Sequence, residues 1–455
     1  MRRVVITGLG AVSPHGLGAP ALWEGLLAGK SSVQTLTRFD PSAFDSHVAG
    51  VIPPFKTTDY VPKSYRKATK IMARDIELAV VAADYAVRDA RLATKGILET
   101  TPLEKLPPNA EGKGWSRPDP ARVGCNIGAG LICADLNEVT AAMVHARNPD
   151  NTLNLTRWGR SDDPAKTSGM DNLTPLWLLK YLPNMLACHV SIIHNTQGPS
   201  NTSTCGQASA GLSLAEATRT IQRGAADLAL VGGCETKINA FALMRWTLLG
   251  RLATHHNDHP ASACRPYDQH ADGAVIAEGG AVMVIEELEH ALKRGATIYA
   301  EVAGLGASCS APDSVTDPDV TGEAPAVAMR KAMKDARITP AQVGLVIPPG
   351  FGLKAWDAAD ARAIEAAFGR SPANLAVLAA RAGIGDCGAG SQALDLATAA
   401  LALRHQLLPP SINCDNPIPG ISINRERQSR NFDHAVILAC ALGGQNSAIV
   451  LRKVS

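Results

Sequence analysis

Short apolar runs that end in glycine alternate along this chain with longer stretches of helical period. Residues 3–6 (RVVI) form a short, mainly apolar run leading into TGLGAVSPHG, which predicts a short strand followed by a glycine-rich turn. Residues 76–92 (IELAVVAADYAVRDARL) carry the period of a buried amphipathic helix. Residues 122–127 predict a strand closed by Gly128, Ala129 and Gly130. A helix over 208–222 follows, then a strand over 226–231 closed by Gly232 and Gly233. Residues 272–287 read as two strands around a glycine bend, 288–294 as helix and 298–304 as strand. Further on, the pattern predicts helices over 325–336, 357–368 and 391–404, a strand over 343–347 and a final core strand over 434–438. Such alternation in both halves predicts mostly parallel sheets with helices on both faces. Glycine-rich turns recur after strands in each half, which suggests a weak internal duplication. Two polar stretches, near 98–120 and 148–172, interrupt the alternation and read as surface insertions.

Composition narrows the classes. The 455 residues are 46% apolar, 19% charged and 4% aromatic. Forty-four Lys and Arg against 42 Asp and Glu leave a net charge of +2, with no basic stripe for nucleic acid and no acidic excess for a disordered scaffold. Few aromatics and 40 Gly suit close helix–sheet packing better than a β-sandwich. No apolar run approaches the ~18 residues of a membrane span, and the N-terminal region lacks a stretch of signal-peptide length. The ten Cys include no C-x-x-C pair, which excludes a zinc ribbon or thioredoxin-type site and reads as reduced cytosolic thiols. TGLGAV lacks the G-x-G-x-x-G spacing, so a tight turn is preferred to a dinucleotide site.

One cysteine looks chemical. Cys205 lies in NTSTCGQASAGLSLAEA, with small polar residues before it and Gly206 and a helical stretch after it. At a helix N-terminus the dipole and free N–H groups favour a thiolate, and a nearby amide could bind a developing oxyanion. The alternative is a small buried core thiol.

Longer motifs surround it. TPLWLLKYLPNMLACHVSIIHNTQGPSNTSTCGQASAG resembles the active-site approach of the β-ketoacyl synthases, condensing enzymes of the thiolase fold. VVITGLGAVSPHGLG, ARVGCNIGAG, ADLALVGGCE, SINCDNP and ALGGQNSAIVL are similar to further strands and turns of that family. CRPYDQHADGAVIAEGGAVMVIEELEHALKRGATIYAEVAG resembles its R-P-F-D…G-E-G-A…R-G-A-x-I-Y-A-E stretch. The resemblance spans essentially the whole chain. It implies an α/β protein of thiolase-like fold, two similar halves forming a layered αβαβα core. The N-terminal half, residues 1–255, would carry the nucleophile and both insertions, and residues 256–455 would form the C-terminal half. It implies Cys205 as acyl carrier, with the amides of Cys205 and of the turn at Leu442, Gly443 and Gly444 as an oxyanion hole.

The same resemblance implies two histidines, one in H-G-T-x-T and one in G-H-x-x-G-A-x-G, that promote decarboxylation of a malonyl thioester. This chain has no His between His290 and His405. VIPPGFGLKAWDAAD matches the first motif with Pro349 in the His place, while Gly350, Asp357 and Asp360 keep theirs. RAGIGDCGAG matches the second, one residue shorter, with Gly385 or Asp386 in the His place and Arg381 for the family's Lys. Leu442 stands where the family has a gating Phe. Proline offers no donor, and an ionised Asp would repel an enolate. His189 and His194, on the apolar approach segment, are weak candidates for the site. His255, His256 and His259 read as a solvated loop rather than a metal site, and His270 falls in a motif that is structural near the cleft.

Three functions are carried forward. The first is ketosynthase-like acyl transfer in fatty-acid or polyketide assembly, with Cys205 taking an acyl group from an acyl carrier protein thioester. Standard decarboxylative condensation is doubtful there, and Asp386 is a possible base. The second is a non-catalytic, chain-length-factor-like partner of a complete ketosynthase. The third is a non-decarboxylating thiolase-like enzyme using Cys387 or Cys440 as base, although ordinary burial is the better reading of both. The resemblance also implies a homodimer, or a heterodimer with a ketosynthase homologue, pairing through the central sheet beside the nucleophile. Part of residues 148–207 would lie at that interface. A cytoplasmic location is expected, with no metal or organic cofactor beyond the phosphopantetheine arm of the substrate.

Overall fold

A computed structural model describes residues 1–108, 114–161, 167–312, 314, 316–369 and 374–454. Parts of the two polar stretches, 109–113 and 162–166, fall outside these. What is described of them is mainly loop with short helices, Lys95–Thr100 and Leu155–Gly159.

Ten strands form one continuous path through the core. It starts at Ala376–Val377 and passes through Leu345–Ile347, His434–Cys440, Gln445–Arg452 and Ala300–Cys309. It continues through Val4–Ser13, Ile276–Glu287, Leu228–Thr236 and Val123–Ala129 to Ser200–Asn201. The path is two copies of one five-strand motif. In the first copy Val4–Ser13 pairs antiparallel with Ile276–Glu287, which pairs antiparallel with Leu228–Thr236. Val123–Ala129 and Ser200–Asn201 then add in parallel. In the second copy Ala300–Cys309, Gln445–Arg452, His434–Cys440, Leu345–Ile347 and Ala376–Val377 repeat those directions in that order. The two copies meet where Val5 and Ile6 pair with Glu301 and Ala300.

The duplication inferred from the glycine pattern is therefore present, but the sheet is mixed rather than mostly parallel. One strand in each copy runs antiparallel to the other four, because Ile276–Glu287 and Gln445–Arg452 enter between strands that would otherwise neighbour each other. His434–Cys440 is accordingly not the last core strand. Residues 276–287 form one uninterrupted strand instead of two around a bend. The glycines there serve strand packing, since a Cβ on Gly280 would lie 2.1 Å from the Gly233 carbonyl oxygen.

The first strand differs from expectation for a related reason. Val4–Ser13 runs through the whole of TGLGAVS, with no turn. Gly8 and Gly10 let the helix Arg74–Asp89 lie directly on the sheet: Cβ atoms there would fall 2.4 Å from the Ala86 carbonyl oxygen and 1.9 Å from that of Ala82. The second copy repeats the device. Cβ atoms on Gly304 and Gly306 would meet the carbonyl oxygens of Ala332 and Ala328 at 2.1 and 2.0 Å.

Layers follow from which helices these sheets cover. Arg74–Asp89 and Met185–His194 pack on the outer face of the first copy, and Glu323–Asp335 and Lys354–Phe368 on that of the second. Ser209–Gln222 and Ser391–His405 pack together between the two copies. Residues 391–403 of the latter are buried all round, which explains the dominance of Ala and Leu, with the run LATAALAL over 396–403 carrying no charged residue. This αβαβα stack brings the N-termini of the two central helices together, and the candidate site lies there.

Candidate active site

Each central helix is preceded by the same turn. Cys205 leads into the short 3-10 turn Gly206–Ala208 and the helix Ser209–Gln222. Its backbone N–H donates to Ser209 Oγ at 2.8 Å, and Gly206 adopts φ +53°. In the second copy Cys387 leads into Gly388–Gly390 and the helix Ser391–His405. The Cys387 N–H donates to Ser391 Oγ at 2.9 Å, and Gly388 adopts φ +55°. The two cysteines are internal counterparts with opposite surroundings. Cys205 is half-buried on an open cleft, whereas Cys387 is sealed in the core and burial pushes its thiol well above the ordinary range.

The cleft has a volume of about 470 Å³. The Cys205 turn forms one wall, and Leu442 and Gly443 of the turn after His434–Cys440 form the facing wall. Trp246 and Leu131 add apolar surface. Gly206 and Ala441 hold the two turns close, since a Cβ on Gly206 would stand 3.3 Å from the Ala441 Cβ. Burial raises the Cys205 thiol above its usual pKa, and no cation or imidazole lowers it. The thiolate-favouring helix terminus expected from sequence is thus offset, because a 3-10 turn intervenes and the site is partly dry. Nor is the Cys205 amide a free donor, being taken by Ser209 Oγ. The amides of Leu442 and Gly443 make no hydrogen bond among the described residues. Gly444 donates its N–H to the Ala441 carbonyl at 2.9 Å.

No histidine stands among the cleft's described lining residues. Pro349 is buried in the loop after Leu345–Ile347. That loop is fastened to Tyr267 by the two retained aspartates. Asp357 accepts the Tyr267 N–H at 2.7 Å and the Phe351 N–H at 3.0 Å. Asp360 accepts the Tyr267 hydroxyl at 2.9 Å and the Gly350 N–H at 3.3 Å. Burial pushes these carboxyls up to about 8 and about 7. Asp386 is buried, and its oxygens are occupied. Gln207 Nε2 donates to it at 3.1 Å, Ser391 Oγ at 3.0 Å and the Gly388 N–H at 3.2 Å. Gln207 lies within the Gly206–Ala208 turn and lines the cleft, so it links the Cys205 wall to Asp386. Gly385, at φ +94°, leads into Asp386 and its side-chain space is closed by the Val275 carbonyl. Arg381 is buried against Asp395 at 2.9 Å, with its Nε and Nη1 lacking a hydrogen-bond partner.

Other sequence candidates lie elsewhere. Cys440 is buried on a separate small cavity, and burial raises its thiol well above the ordinary range. His189 pairs with the Tyr65 hydroxyl at 2.9 Å and His194 with the Thr94 hydroxyl at 2.9 Å; burial lowers the latter to about 3. His255 sits beside Asp272 at 3.0 Å, and His270 is exposed. Among the described residues no group of three or more His, Cys, Asp or Glu is placed to hold a metal.

Sequence reasoning missed the charged groups of the cleft. Glu235 and Lys237 follow each other by two at the end of Leu228–Thr236, so their side chains share a face. They form a buried ion pair at 2.9 Å on the cleft wall, and Arg245 lines the same cleft from the helix Ala240–Leu248. The E-x-K spacing at a strand end was the available signal.

Comparisons with known proteins agree with this geometry. The model of the β-ketoacyl synthase N-terminal domain matches residues 1–102 and 129–291, and that of the C-terminal domain matches residues 299–415. The 3-oxoacyl-[acyl-carrier-protein] synthase 2 of Coxiella burnetii is 33% identical over 457 residues, covering 100% of this chain and 99% of that protein. The protein of the same name from Rhizobium meliloti is 31% identical, with 100% and 99% covered. Among solved structures, a type II PKS acyl-carrier protein in complex with its ketosynthase bound to the hexaketide superposes with a TM-score of 0.79 at 26% identity over 100% of both chains. A β-ketoacyl synthase from Burkholderia phymatum superposes at 0.81 with 24% identity and shares the fold, again over 100% of both chains.

Proposed function

This chain belongs to the β-ketoacyl synthase family, and from that premise we propose that it is a ketosynthase-like acyltransferase of fatty-acid or polyketide assembly that carries an acyl group on Cys205. The observation that supports this most directly is the Cys205 thiol, half-buried on a 470 Å³ cleft whose far wall offers unengaged amides at Leu442 and Gly443. An acyl carrier protein would present its thioester there. The Cys205 sulfur attacks the carbonyl carbon, the C–S bond to the phosphopantetheine arm breaks, and the thiol proton passes to the departing arm. The unengaged amides of Leu442 and Gly443 would receive the oxyanion that forms in between. The raised thiol pKa makes this step slow near neutral pH and faster as pH rises, since the thiolate is the nucleophile.

Decarboxylative condensation is not part of the proposal. With Pro349 and Gly385–Asp386 at the two imidazole places, neither position offers an imidazole N–H to an enolate oxygen, and each missing donor costs about two to three orders of magnitude in rate. Intact-protein mass spectrometry after incubation with acyl carrier-protein thioesters tests the reading. A mass increase equal to the acyl group, absent from Cys205→Ala, is the expected result. No adduct with any acyl donor, alone or beside a complete ketosynthase, rejects it.

A second reading draws on the same vacant imidazole places and on the amide of Cys205 being tied to Ser209. It makes the chain a non-catalytic partner of a complete ketosynthase. Co-purification with such a homologue, combined with no adduct on Cys205, selects this reading.

A further inference from the structure

A second cavity, of about 410 Å³, lies at the far end of a strand that leads to the Cys205 cleft. Val123, the first residue of Val123–Ala129, lines this cavity, and Ala129, the last, lines the cleft. At about 3.3 Å per residue the two ends of the strand stand about 20 Å apart. The cavity's walls are largely apolar, from Ala93, Leu98, Pro118, Pro120 and Val123. One wall comes from the polar stretch near 98–120 and is fastened to the body of the molecule. The Ala93 N–H donates to the Ser116 carbonyl at 2.7 Å, and the Ser116 N–H to that of Arg91 at 3.0 Å, which holds the adjoining Arg117 and Pro118 in place.

One deeply buried polar side chain also lines it. His194 closes the helix Met185–His194 and is only 4% exposed. Its Nδ1 is engaged with the Thr94 hydroxyl at 2.9 Å, and its Nε2 has no partner among the described residues. Gly96 permits this approach, since a Cβ there would stand 2.9 Å from the Ile193 carbonyl oxygen and 3.4 Å from His194 Nδ1. Burial holds the imidazole neutral, so Nε2 can donate or accept as the Thr94 hydroxyl turns. A ligand hydroxyl, itself donor and acceptor, suits such a group. Toward solvent the charges differ. Lys95 has Glu99 at 3.7 Å, whereas the exposed Arg117 has neither an ion pair nor a hydrogen bond among the described residues. One cation is therefore left over beside an apolar cavity.

We propose that this cavity is a binding site, separate from the cleft, for a small hydroxy acid whose hydroxyl and carboxylate stand at opposite ends of an apolar body. The hydroxyl bonds to His194 Nε2, the body replaces water along the apolar walls, and the carboxylate stays at the solvent edge on the side of Arg117. Exposure fixes that order. A carboxylate carried in to the imidazole would lose its hydration, and Arg88, the cation that acts on His194, is already paired with Asp84 at 2.7 Å. Selectivity comes from the buried end, because a ligand without the hydroxyl leaves Nε2 unpaired and dry. The exposed ion pair adds little. The volume is that of a small-molecule site. This inference does not depend on acyl transfer at Cys205.

The test is calorimetric titration of the full chain with three probes: 8-hydroxyoctanoate, octanoate and 1,8-octanediol. The hydroxy acid is expected to bind about fivefold more tightly than octanoate, and His194→Phe should erase that difference. Arg117→Met should weaken the hydroxy acid about twofold and leave the diol unchanged. Leu98→Trp fills the cavity from a half-buried position and should weaken all three probes, which keeps the proposal testable where His194→Phe fails to fold. Blocking Cys205 with iodoacetamide should leave every affinity as it was. Equal binding of 8-hydroxyoctanoate and octanoate overturns the proposal. So does binding that survives Leu98→Trp, binding that is lost when Cys205 is blocked, or no binding by any probe. Failure to acylate Cys205 with the hydroxyl preference intact rejects the acyltransferase reading and leaves this site standing.

Discussion

Asp386, a possible base on the sequence reading, has the surroundings of a buried acceptor. Gln207, Ser391 and the Gly388 amide all donate to it. Asp386→Leu should strip three donors of their acceptor and cost about 1–3 kcal/mol or more, whereas Asp386→Asn should cost much less; denaturant midpoints of the two variants check this. Asp75 behaves differently because burial outweighs the opposing pull of its backbone hydrogen bonds and of Lys237. Burial first, and then the charge of Glu235, pushes its carboxyl up to about 8. In the unfolded chain it titrates near the ordinary value of about 3.9, so the folded state favours the proton. Its contribution to stability is full below about pH 4 and is lost as pH rises through about 8. Asp75→Asn keeps an oxygen for the Thr236 N–H and has no charge to acquire. Its melting temperature should exceed that of the wild type by a margin that grows between about pH 5 and pH 8.5. A margin independent of pH contradicts the assignment.

The paired turns at Cys205 and Cys387 place the strictest demand on the chain. At Gly388 the backbone is left-handed, at φ +55°, and a Cβ would stand 2.0 Å from Glu235 Oε2 and 2.8 Å from Lys237 Nζ. Gly388→Ala should therefore lose about 2 kcal/mol or more through backbone strain and displacement of the ion pair, read from chemical denaturation. Much at this scale was legible in the sequence. The helix over 76–92, the helices over 208–222 and 391–404 and the nucleophile turn all appear close to their expected places. What misled was glycine. In TGLGAVS and AEGGAV it reads locally as a turn or bend, but Gly8, Gly10 and Gly280 sit inside strands and serve close approach of a helix or a neighbouring strand. That cause is tertiary and leaves no local trace. Glu235, Lys237 and Arg245 escaped notice similarly, because the resemblance directed attention to the histidine places and not to charges at the end of a strand.

Across the whole molecule, the sheet ends in an unprotected edge. Ser200 and Asn201 are exposed, and residues 131–192, which lead into that strand, leave Leu131, Leu176, Leu178 and Ile192 exposed as well. Open edges and apolar surface of this kind are normally covered. We expect sedimentation velocity to find a dimer, and Ser200→Pro, which removes an N–H facing away from the neighbouring strand, to shift it to monomer. A wild-type monomer would contradict this. The pseudo-symmetric stack sets the turn at Cys205 apart from the positions compared in sequence with the family's imidazoles. Cys205 belongs to the first copy, and Pro349, Gly385 and Asp386 belong to the second. Changes there alter the chemistry without disturbing the turn that presents the thiol. The most direct measurement follows acyl-enzyme formation and CO2 release together, with acyl and malonyl carrier-protein thioesters in one reaction. The expected result is acylated Cys205 with CO2 release no faster than in Cys205→Ala. Rapid CO2 release by the wild type, lost in Cys205→Ala, would contradict it and show that condensation proceeds without the imidazole pair.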